Sequence, residues 1–118
     1  MDVDKRNQLI DTYYRAADEE DYDLMMSVFS ADITYLYPNE PDMHGKDAVR
    51  EFFEERRQTT GTTHDVFRRV HGDDATLCEG NITGEIAGEG PFEGSYVGAF
   101  EFDENAEKID YVAVYTRL

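Results

Sequence analysis

The chain has 118 residues, the length of one domain with a single apolar core. It carries 27 Asp and Glu against 11 Lys and Arg, and its formal net charge of -16 repels phosphate backbones and anionic lipid headgroups. We therefore predict a single domain over residues 1–118, with neither nucleic acid nor membrane surfaces as partners.

The acidic residues recur along the whole chain, at 18–21, 54–55, 73–74 and 103–104, instead of forming a tail. Such a surface repels itself unless salt screens it, and at about 1 M salt the Debye length falls to roughly 3 Å. We interpret the acidity as adaptation to a salt-rich cytoplasm, as in halophilic organisms. A cytoplasmic location also agrees with the single cysteine, Cys78, and with a first segment that lacks an apolar signal region.

Two helices are predicted near the start of the chain. The first has Asp2 or Asp4 as its cap. Its buried face, at helical spacing, comprises Leu9, Ile10, Tyr13, Tyr14 and Ala17. The second helix begins at Asp21, and its buried stripe comprises Leu24, Met25, Val28 and Phe29.

The segment 32–39 is predicted to be a short strand that Pro38 ends. Alternation along it places Tyr35 and Tyr37 on one face and Thr34 and Leu36 on the other. The two phenols are either core residues or the lining of a pocket.

A third helix follows the polar loop after this strand, with a buried stripe of Ala48, Val49, Phe52 and Phe53. From Thr62 onward the apolar period changes to two, which predicts strands near 63–71, 75–86, 94–102 and 108–117. Helices followed by an antiparallel meander indicate an α+β fold in which a curved sheet wraps around the helices.

Motifs for metals and cofactors are not found. The glycine-rich segment 88–94 joins two strands and opens no helix, so it is not a phosphate cradle. The three histidines, His44, His64 and His71, lack the spacing of a zinc site. We therefore expect no metal and no cofactor.

Four segments, 13–38, 44–53, 63–76 and 100–115, resemble the NTF2-like superfamily in its SnoaL-like and ketosteroid-isomerase-like branch. The resemblance spans nearly the whole chain. It implies an NTF2-like cone, in which three N-terminal helices pack in a strongly curved, mostly antiparallel sheet that is open at one end. It also implies a pocket for a small-molecule ligand and, in many members, a homodimer across the outer face of the sheet, where Phe67, Val97 and Ala99 would lie.

Ketosteroid isomerases resemble this chain over residues 13–38, and their oxyanion-donating tyrosine falls on Tyr13. Their general-base aspartate falls on Tyr37, and their second acid falls near Gly98. A phenol with an ordinary pKa of about 10 is a poor base at neutral pH. Because both carboxyls are replaced, we do not expect steroid isomerisation.

Scytalone dehydratases are similar in layout, and their water-positioning tyrosine, catalytic histidine and helix-end aspartate fall on Tyr37, His64 and Asp18. Their second water-holding tyrosine falls on Ala17, and Asn81 is the nearest counterpart of their second histidine. An imidazole suits general acid/base catalysis at neutral pH. The resemblance therefore implies elimination or proton transfer on a substrate other than a naphthol.

The strand near 75–86 supplies a further group. Leu77, Glu79, Asn81 and Thr83 share one face of it, and Cys78 and Ile82 share the other. Resemblance to the isomerases places the first set inside the cone, where Glu79 would act as a base or hold His64 in one tautomer. The alternative is a structural ion pair of Glu79 with Arg68 or Arg69.

Our hypothesis is a cofactor-independent lyase or isomerase that acts by acid/base catalysis on a small, partly apolar hydroxy or carbonyl compound. The predicted catalytic residues are His64, Tyr37, Tyr13 and Glu79. The predicted ligand-binding residues are Asp18, Asn81, Phe52, Tyr35 and Tyr115. Each of these is also explained by a core, wall or surface role, so the alternative is a non-catalytic ligand-binding or dimeric assembly module. Epoxide hydrolysis requires a converging Asp-Arg-Asp set, which the sequence does not place.

Overall fold

A computed structural model describes all of residues 1–118. The helices are α1 (Val3–Glu19), α2 (Tyr22–Val28) and α3 (Lys46–Glu51), and α3 continues into a π-helical turn, Phe52–Arg56. The strands are β1 (Phe29–Leu36), β2 (Met43–His44), β3 (Thr59–His71), β4 (Thr76–Ile86), β5 (Gly90–Phe102) and β6 (Ile109–Arg117).

Aspartate caps begin the first two helices. The Asp2 carboxylate accepts a hydrogen bond from the backbone N–H of Lys5 at 3.0 Å, and that of Asp21 accepts one from Leu24 at 3.1 Å. Each cap satisfies a backbone donor that has no partner within the helix. Both helix starts were predicted from the sequence, with Asp2 and not Asp4 as the first cap.

The six strands form one mixed sheet in the order β2–β1–β6–β5–β4–β3. Strands β3 to β6 make the predicted antiparallel meander, and β1 pairs with β6 in parallel. The three helices pack against this open sheet, which confirms the α+β NTF2-like fold class. The short strand β2, which pairs with β1 inside the predicted polar loop, was not predicted from the sequence.

The facing of β4 corrects one sequence prediction. Cys78 and Ile82 are buried on the inner face, and the opposite set lies on the outer face. Glu79 pairs there with Arg68 at 2.9 Å, and Asn81 is exposed. The outer face keeps the carboxylate hydrated and beside its cross-strand neighbour, whereas an unpaired carboxylate inside would be costly.

Two aromatic predictions also change. Tyr115 is 61% exposed because it lies on the outer face of β6, opposite Val97 of β5. Phe52 is buried in the apolar core, where its ring lies 4.8 Å from that of Tyr37.

None of the helices is both long and apolar enough to cross a membrane.

Candidate functional site

A small cavity lies between the end of α1, the π-helical turn and the inner face of the sheet. Its volume is about 30 Å³, which is room for one or two water molecules. Its lining consists of Tyr13, Tyr14, Ala17, Tyr35, Tyr37, Phe53, Arg57, His64, Ile82, Tyr96, Gly98, Val114 and Thr116.

His64, in the cavity wall, is hydrogen-bonded to a carboxylate that lies outside the cavity. Asp18, in the last turn of α1, bonds to His64 of β3 twice, at 2.5 Å through the ring Nδ1 and at 2.9 Å through the backbone N–H. The Thr62 hydroxyl donates a third hydrogen bond to Asp18, at 2.9 Å. The three bonds fix both side chains where the helix meets the strand.

These bonds decide the protonation of the pair. Burial alone would raise the pKa of Asp18, but the hydrogen bonds from the His64 ring and backbone and from Thr62 outweigh it, so that this pKa is lowered from its ordinary value. Asp18 is therefore a carboxylate at neutral pH and can only accept hydrogen bonds. The Nδ1 of His64 must therefore carry a hydrogen, and in the neutral form of the ring Nε2 has the free lone pair.

Two tyrosine rings pack against the imidazole and against each other. The rings of Tyr14 and Tyr96 have their centroids 5.0 and 5.1 Å from that of His64. Two glycines make room for these phenols: a Cβ would lie 2.6 Å from the Tyr96 hydroxyl at Gly80, and 2.6 Å from the Tyr14 hydroxyl at Gly98. An acid side chain at Gly98 would therefore collide with Tyr14.

A pair of phenols forms another part of the wall. The hydroxyls of Tyr13 and Tyr35 lie 2.5 Å apart, and both side chains are buried. Burial raises the pKa of each, and their mutual hydrogen bond raises that of Tyr35 further while it partly offsets the rise at Tyr13. Both stay protonated at neutral pH, so they act as hydrogen-bond donors and not as bases. With Tyr35 as donor within the pair, Tyr13 has a hydrogen to donate to a ligand.

Tyr37 closes the cavity on one side. It is half-buried, and its ring stacks on that of Tyr35 at 6.3 Å and 13°. Tyr37, Val114 and Thr116 line both the cavity and an open depression on the surface. A ligand larger than a few non-hydrogen atoms must displace the Tyr37 side chain to enter.

Arg57 also lines the cavity, and sequence reasoning missed it. Its guanidinium donates to the carbonyl oxygen of Ala17 at 3.2 Å and to the Thr62 hydroxyl at 3.1 Å, and it lies 5.3 Å from the centre of the Phe53 ring. A cation at the carboxyl end of α1 is favoured by the helix dipole. The π-helical turn before Arg57 breaks the 3.6-residue period, so no periodic signal predicts which way this residue faces.

Five predicted site residues are brought together: Asp18, His64, Tyr13, Tyr35 and Tyr37. Glu79, Asn81 and Tyr115 lie on the outer face, and Phe52 packs behind Tyr37 in the core. No group of three or more His, Cys, Asp or Glu side chains in the structure is arranged to hold a metal ion.

Asp18→Asn is expected to lower the free energy of unfolding at neutral pH by roughly 1 to 3 kcal/mol, because charged hydrogen bonds are lost. The folded-state pKa of Asp18 lies below its ordinary value of 3.8, so this stability is present above that pH and is lost as the pH falls through the folded pKa. Urea unfolding of both proteins should therefore show the difference shrinking in acid. The control Glu19→Gln, at an exposed neighbour on α1, should change little; a difference for Asp18→Asn that persists in acid would contradict the assignment.

The comparisons with known proteins agree with this fold. A SnoaL-like domain model matches residues 10–115. An NTF2-like protein of unknown function from Exiguobacterium is 22% identical, with a TM-score of 0.78 over 92% of this chain and 98% of that one. No curated protein matches the chain by sequence.

Two further solved structures share the fold. An LEH-like epoxide hydrolase from M. tuberculosis is 17% identical, with a TM-score of 0.78 over 96% of this chain and 83% of that one. A protein with a ketosteroid isomerase-like fold from Catenulispora acidiphila, in complex with trimethylamine, is 16% identical, with a TM-score of 0.79 over 91% of this chain and 83% of that one. The fold and the match over residues 10–115 together show that the chain belongs to the SnoaL-like domain family of the NTF2-like fold.

Proposed function

We propose that the protein is a cofactor-independent acid/base enzyme, a lyase or isomerase, for a small, partly apolar hydroxy or carbonyl compound. The observation that carries the proposal is the hydrogen bond of 2.5 Å between His64 Nδ1, in the cavity wall, and Asp18 Oδ1 behind it. A carboxylate that holds the tautomer of an imidazole is a recurring arrangement for general-base catalysis. His64, Tyr13 and Tyr37 are the proposed catalytic residues.

The proposed chemistry starts with proton transfer. His64 Nε2 takes a proton from the carbon next to the substrate carbonyl, and the Asp18 carboxylate stabilises the imidazolium that results. Negative charge develops on the carbonyl oxygen, to which Tyr13 donates a hydrogen bond. Return of the proton to another carbon completes an isomerisation, whereas its transfer to a departing hydroxyl releases water and completes an elimination.

In the proposed reaction only groups that reach the cavity take part. Glu79 has no part in the proposal because it lies on the outer face with Arg68. Tyr37, at the mouth, is placed to donate a hydrogen bond to a substrate hydroxyl or to water. Steroid isomerisation is disfavoured, since Tyr37 and Gly98 stand where that reaction requires carboxyl groups and a steroid far exceeds about 30 Å³.

The second candidate function is a non-catalytic ligand-binding or assembly module. The observation that favours it is the small volume of the cavity, about 30 Å³, against roughly 300 to 1,000 Å³ for typical ligand pockets. In that role the tyrosines and His64 form a hydrogen-bonded plug that stabilises the cone.

Hydrogen exchange separates the two candidates without knowledge of the natural substrate. A panel of small ketones in D₂O, followed by ¹H NMR, should lose the signals of hydrogens next to the carbonyl in proportion to enzyme concentration. His64→Gln should reduce the catalysed rate by about 10² to 10⁴, the usual contribution of a positioned acid or base. Glu79→Gln is the matched control and should retain the rate. Exchange that is equally fast in His64→Gln, or that no ketone shows, would favour the plug.

We also propose a homodimer across the outer face of the sheet. Apolar side chains from four strands lie there: Phe67 and Val70 of β3, Leu77 of β4 and Tyr115 of β6 are exposed, and Val97 and Ala99 of β5 are partly exposed. Leu77 lies opposite Ala99, and Val97 lies opposite Tyr115, so these residues form a continuous patch. Large exposed apolar patches are typical of protein interfaces.

Leu77→Glu should convert the dimer into a monomer, because it puts a charge into the centre of the patch. Light scattering coupled to size-exclusion chromatography gives the mass directly. Val3→Glu, at an exposed position on α1, is the control and should leave the mass unchanged. A wild-type protein that is monomeric at micromolar concentration, or a Leu77→Glu protein that is still dimeric, would refute the interface.

The acidic surface supports a further proposal, that the protein works in a salt-rich cytoplasm. Its charge of -16 is dispersed along the chain, and its one cysteine, Cys78, is fully buried in the sheet. Burial raises the pKa of this thiol to about 11, which keeps it protonated and unreactive at neutral pH.

Raising sodium chloride from about 0.1 to about 1 M should increase the free energy of unfolding, because screening relieves the repulsion among carboxylates. Urea unfolding at each salt concentration measures the change. Chloride is preferred to sulfate, which stabilises many proteins by exclusion from their surface. Sucrose at matched osmolality is the control for exclusion; stability that falls or stays constant in salt would contradict the proposal.

A further inference from the structure

Two buried hydrogen-bond donors among the residues of the cavity wall have no acceptor in the protein. One is Nε of Arg57, whose two other guanidinium nitrogens are bonded to Ala17 and Thr62. The other is the hydroxyl of Tyr96, a residue that is only 4% exposed; the neighbouring Tyr14 hydroxyl can donate to its oxygen, but no group accepts its hydrogen. Both residues line the same cavity. Buried polar groups are nearly always hydrogen-bonded, so a pair of unmatched donors beside one void points to something that binds there.

The charge of Arg57 is also unmatched. The chain has 27 acidic residues, yet none of its carboxylates forms an ion pair with Arg57, and none lines the cavity. Asp18 is the carboxylate linked to Arg57 through one intervening group, the Thr62 hydroxyl. This hydroxyl donates a hydrogen bond to Asp18 and accepts one from Arg57. Asp18 is already committed to His64. The cavity therefore combines a guanidinium, a free phenol hydroxyl and walls that carry no negative charge.

The other arginine of this turn behaves differently. Arg56 reaches outward and pairs with Glu40 at 3.1 Å and with Glu51 at 2.8 Å. Arg56 thus has the surface ion pairs that are usual in so acidic a chain, whereas Arg57 turns inward without one. The contrast gives a matched pair of arginines, adjacent in sequence and opposite in environment.

We infer that the cavity binds the carboxylate of a small organic acid, which accepts hydrogen bonds from Arg57 Nε and the Tyr96 hydroxyl. A carboxylate is the ligand group that suits these donors, since it only accepts hydrogen bonds and carries the charge opposite to the guanidinium. The volume of about 30 Å³ restricts the bound part to a few atoms. As an assignment of substrate class, a hydroxy or keto acid, the inference rests on the proposed function; anion binding itself is independent of it.

Arg57 also acts on the proposed oxyanion donor. Burial raises the pKa of Tyr13, and the positive charge of Arg57 offsets part of that rise. A group that favours negative charge on a phenol oxygen also favours negative charge on a substrate oxygen bonded to it. The positive charge of Arg57 would therefore stabilise both the bound carboxylate and the oxyanion that develops during the reaction.

Acetate is the probe for this site, and acetamide is its neutral counterpart of nearly the same shape. Titration at constant ionic strength, followed through the Arg57 Nε–Hε signal in ¹H–¹⁵N spectra, should give a saturable shift with acetate and none with acetamide. Tyr96→Phe should weaken acetate binding by about tenfold, the usual effect of losing a hydrogen bond to a charged group. It removes a hydroxyl whose hydrogen has no acceptor in the protein and whose one neighbour is the Tyr14 hydroxyl, so the fold should be retained.

Arg57→Lys should also weaken acetate binding, because lysine keeps a charge but lacks the fixed fork of donors. Arg56→Lys is the control and should bind acetate as the wild type does. The inference is overturned if the folded wild type shows no saturable response to acetate. It is also overturned by an equal response to acetamide, which would indicate displaced water only. Wild-type affinity for acetate in both Tyr96→Phe and Arg57→Lys would overturn it as well. Acetate binding by a protein that exchanges no ketone hydrogens would support this inference and contradict the catalytic proposal, so the two fail separately.

Discussion

The hydrogen bond between the Asp18 carboxylate and His64 Nδ1 ties the end of α1 to β3, and the rest of the site depends on it. The same carboxylate accepts from the Thr62 hydroxyl and the His64 backbone, so one side chain sets the position of helix, strand and imidazole together. Because the bonds keep Asp18 ionised, they also determine the tautomer of His64: Nδ1 carries the hydrogen, and the lone pair of the neutral ring is on Nε2. Position and protonation therefore have one origin.

Around this bond the cavity has an electrostatic character opposite to that of the surface. The outside is strongly acidic, whereas the cavity is lined by tyrosines, His64 and Arg57 and by no carboxylate. Burial keeps Tyr13 and Tyr35 protonated by raising their pKa values, and with Tyr35 donating to Tyr13 the Tyr13 hydroxyl can donate to an oxygen that enters. Such a cavity favours negative charge on a ligand, which is what an enolate intermediate or a carboxylate presents.

Much of the fold was predictable because its signals are local. The caps at Asp2 and Asp21, the alternation of Tyr35 and Tyr37, and the period-two meander all follow from short-range chemistry. The facing of β4 was not predictable in this way: alternation defines two faces, but which of them meets the helices depends on the register with neighbouring strands. In the structure the face that carries Glu79 and Asn81 points away from the helices, so neither residue is in the site.

The site itself was predictable only in part. Asp18, His64 and Tyr37 came from family resemblance, and the structure supplies the contact between the first two. Arg57, Thr62 and Tyr96 were missed, because their roles arise from a π-helical turn and from cross-strand packing between β3, β4 and β5. Gly80 was missed for the same reason: it leaves space for the Tyr96 hydroxyl on the neighbouring strand, and this contact is visible only in the folded sheet.

The most direct test of the account is the tautomer of His64 at neutral pH. ¹⁵N-edited NMR of the imidazole distinguishes the two ring nitrogens through their shifts and through the one-bond coupling of the protonated one. The account predicts a hydrogen on Nδ1 and a lone pair on Nε2, and in Asp18→Asn a mixture of both tautomers. A hydrogen held on Nε2 in the wild type would show that Asp18 does not orient the ring, and the site would lose its general base.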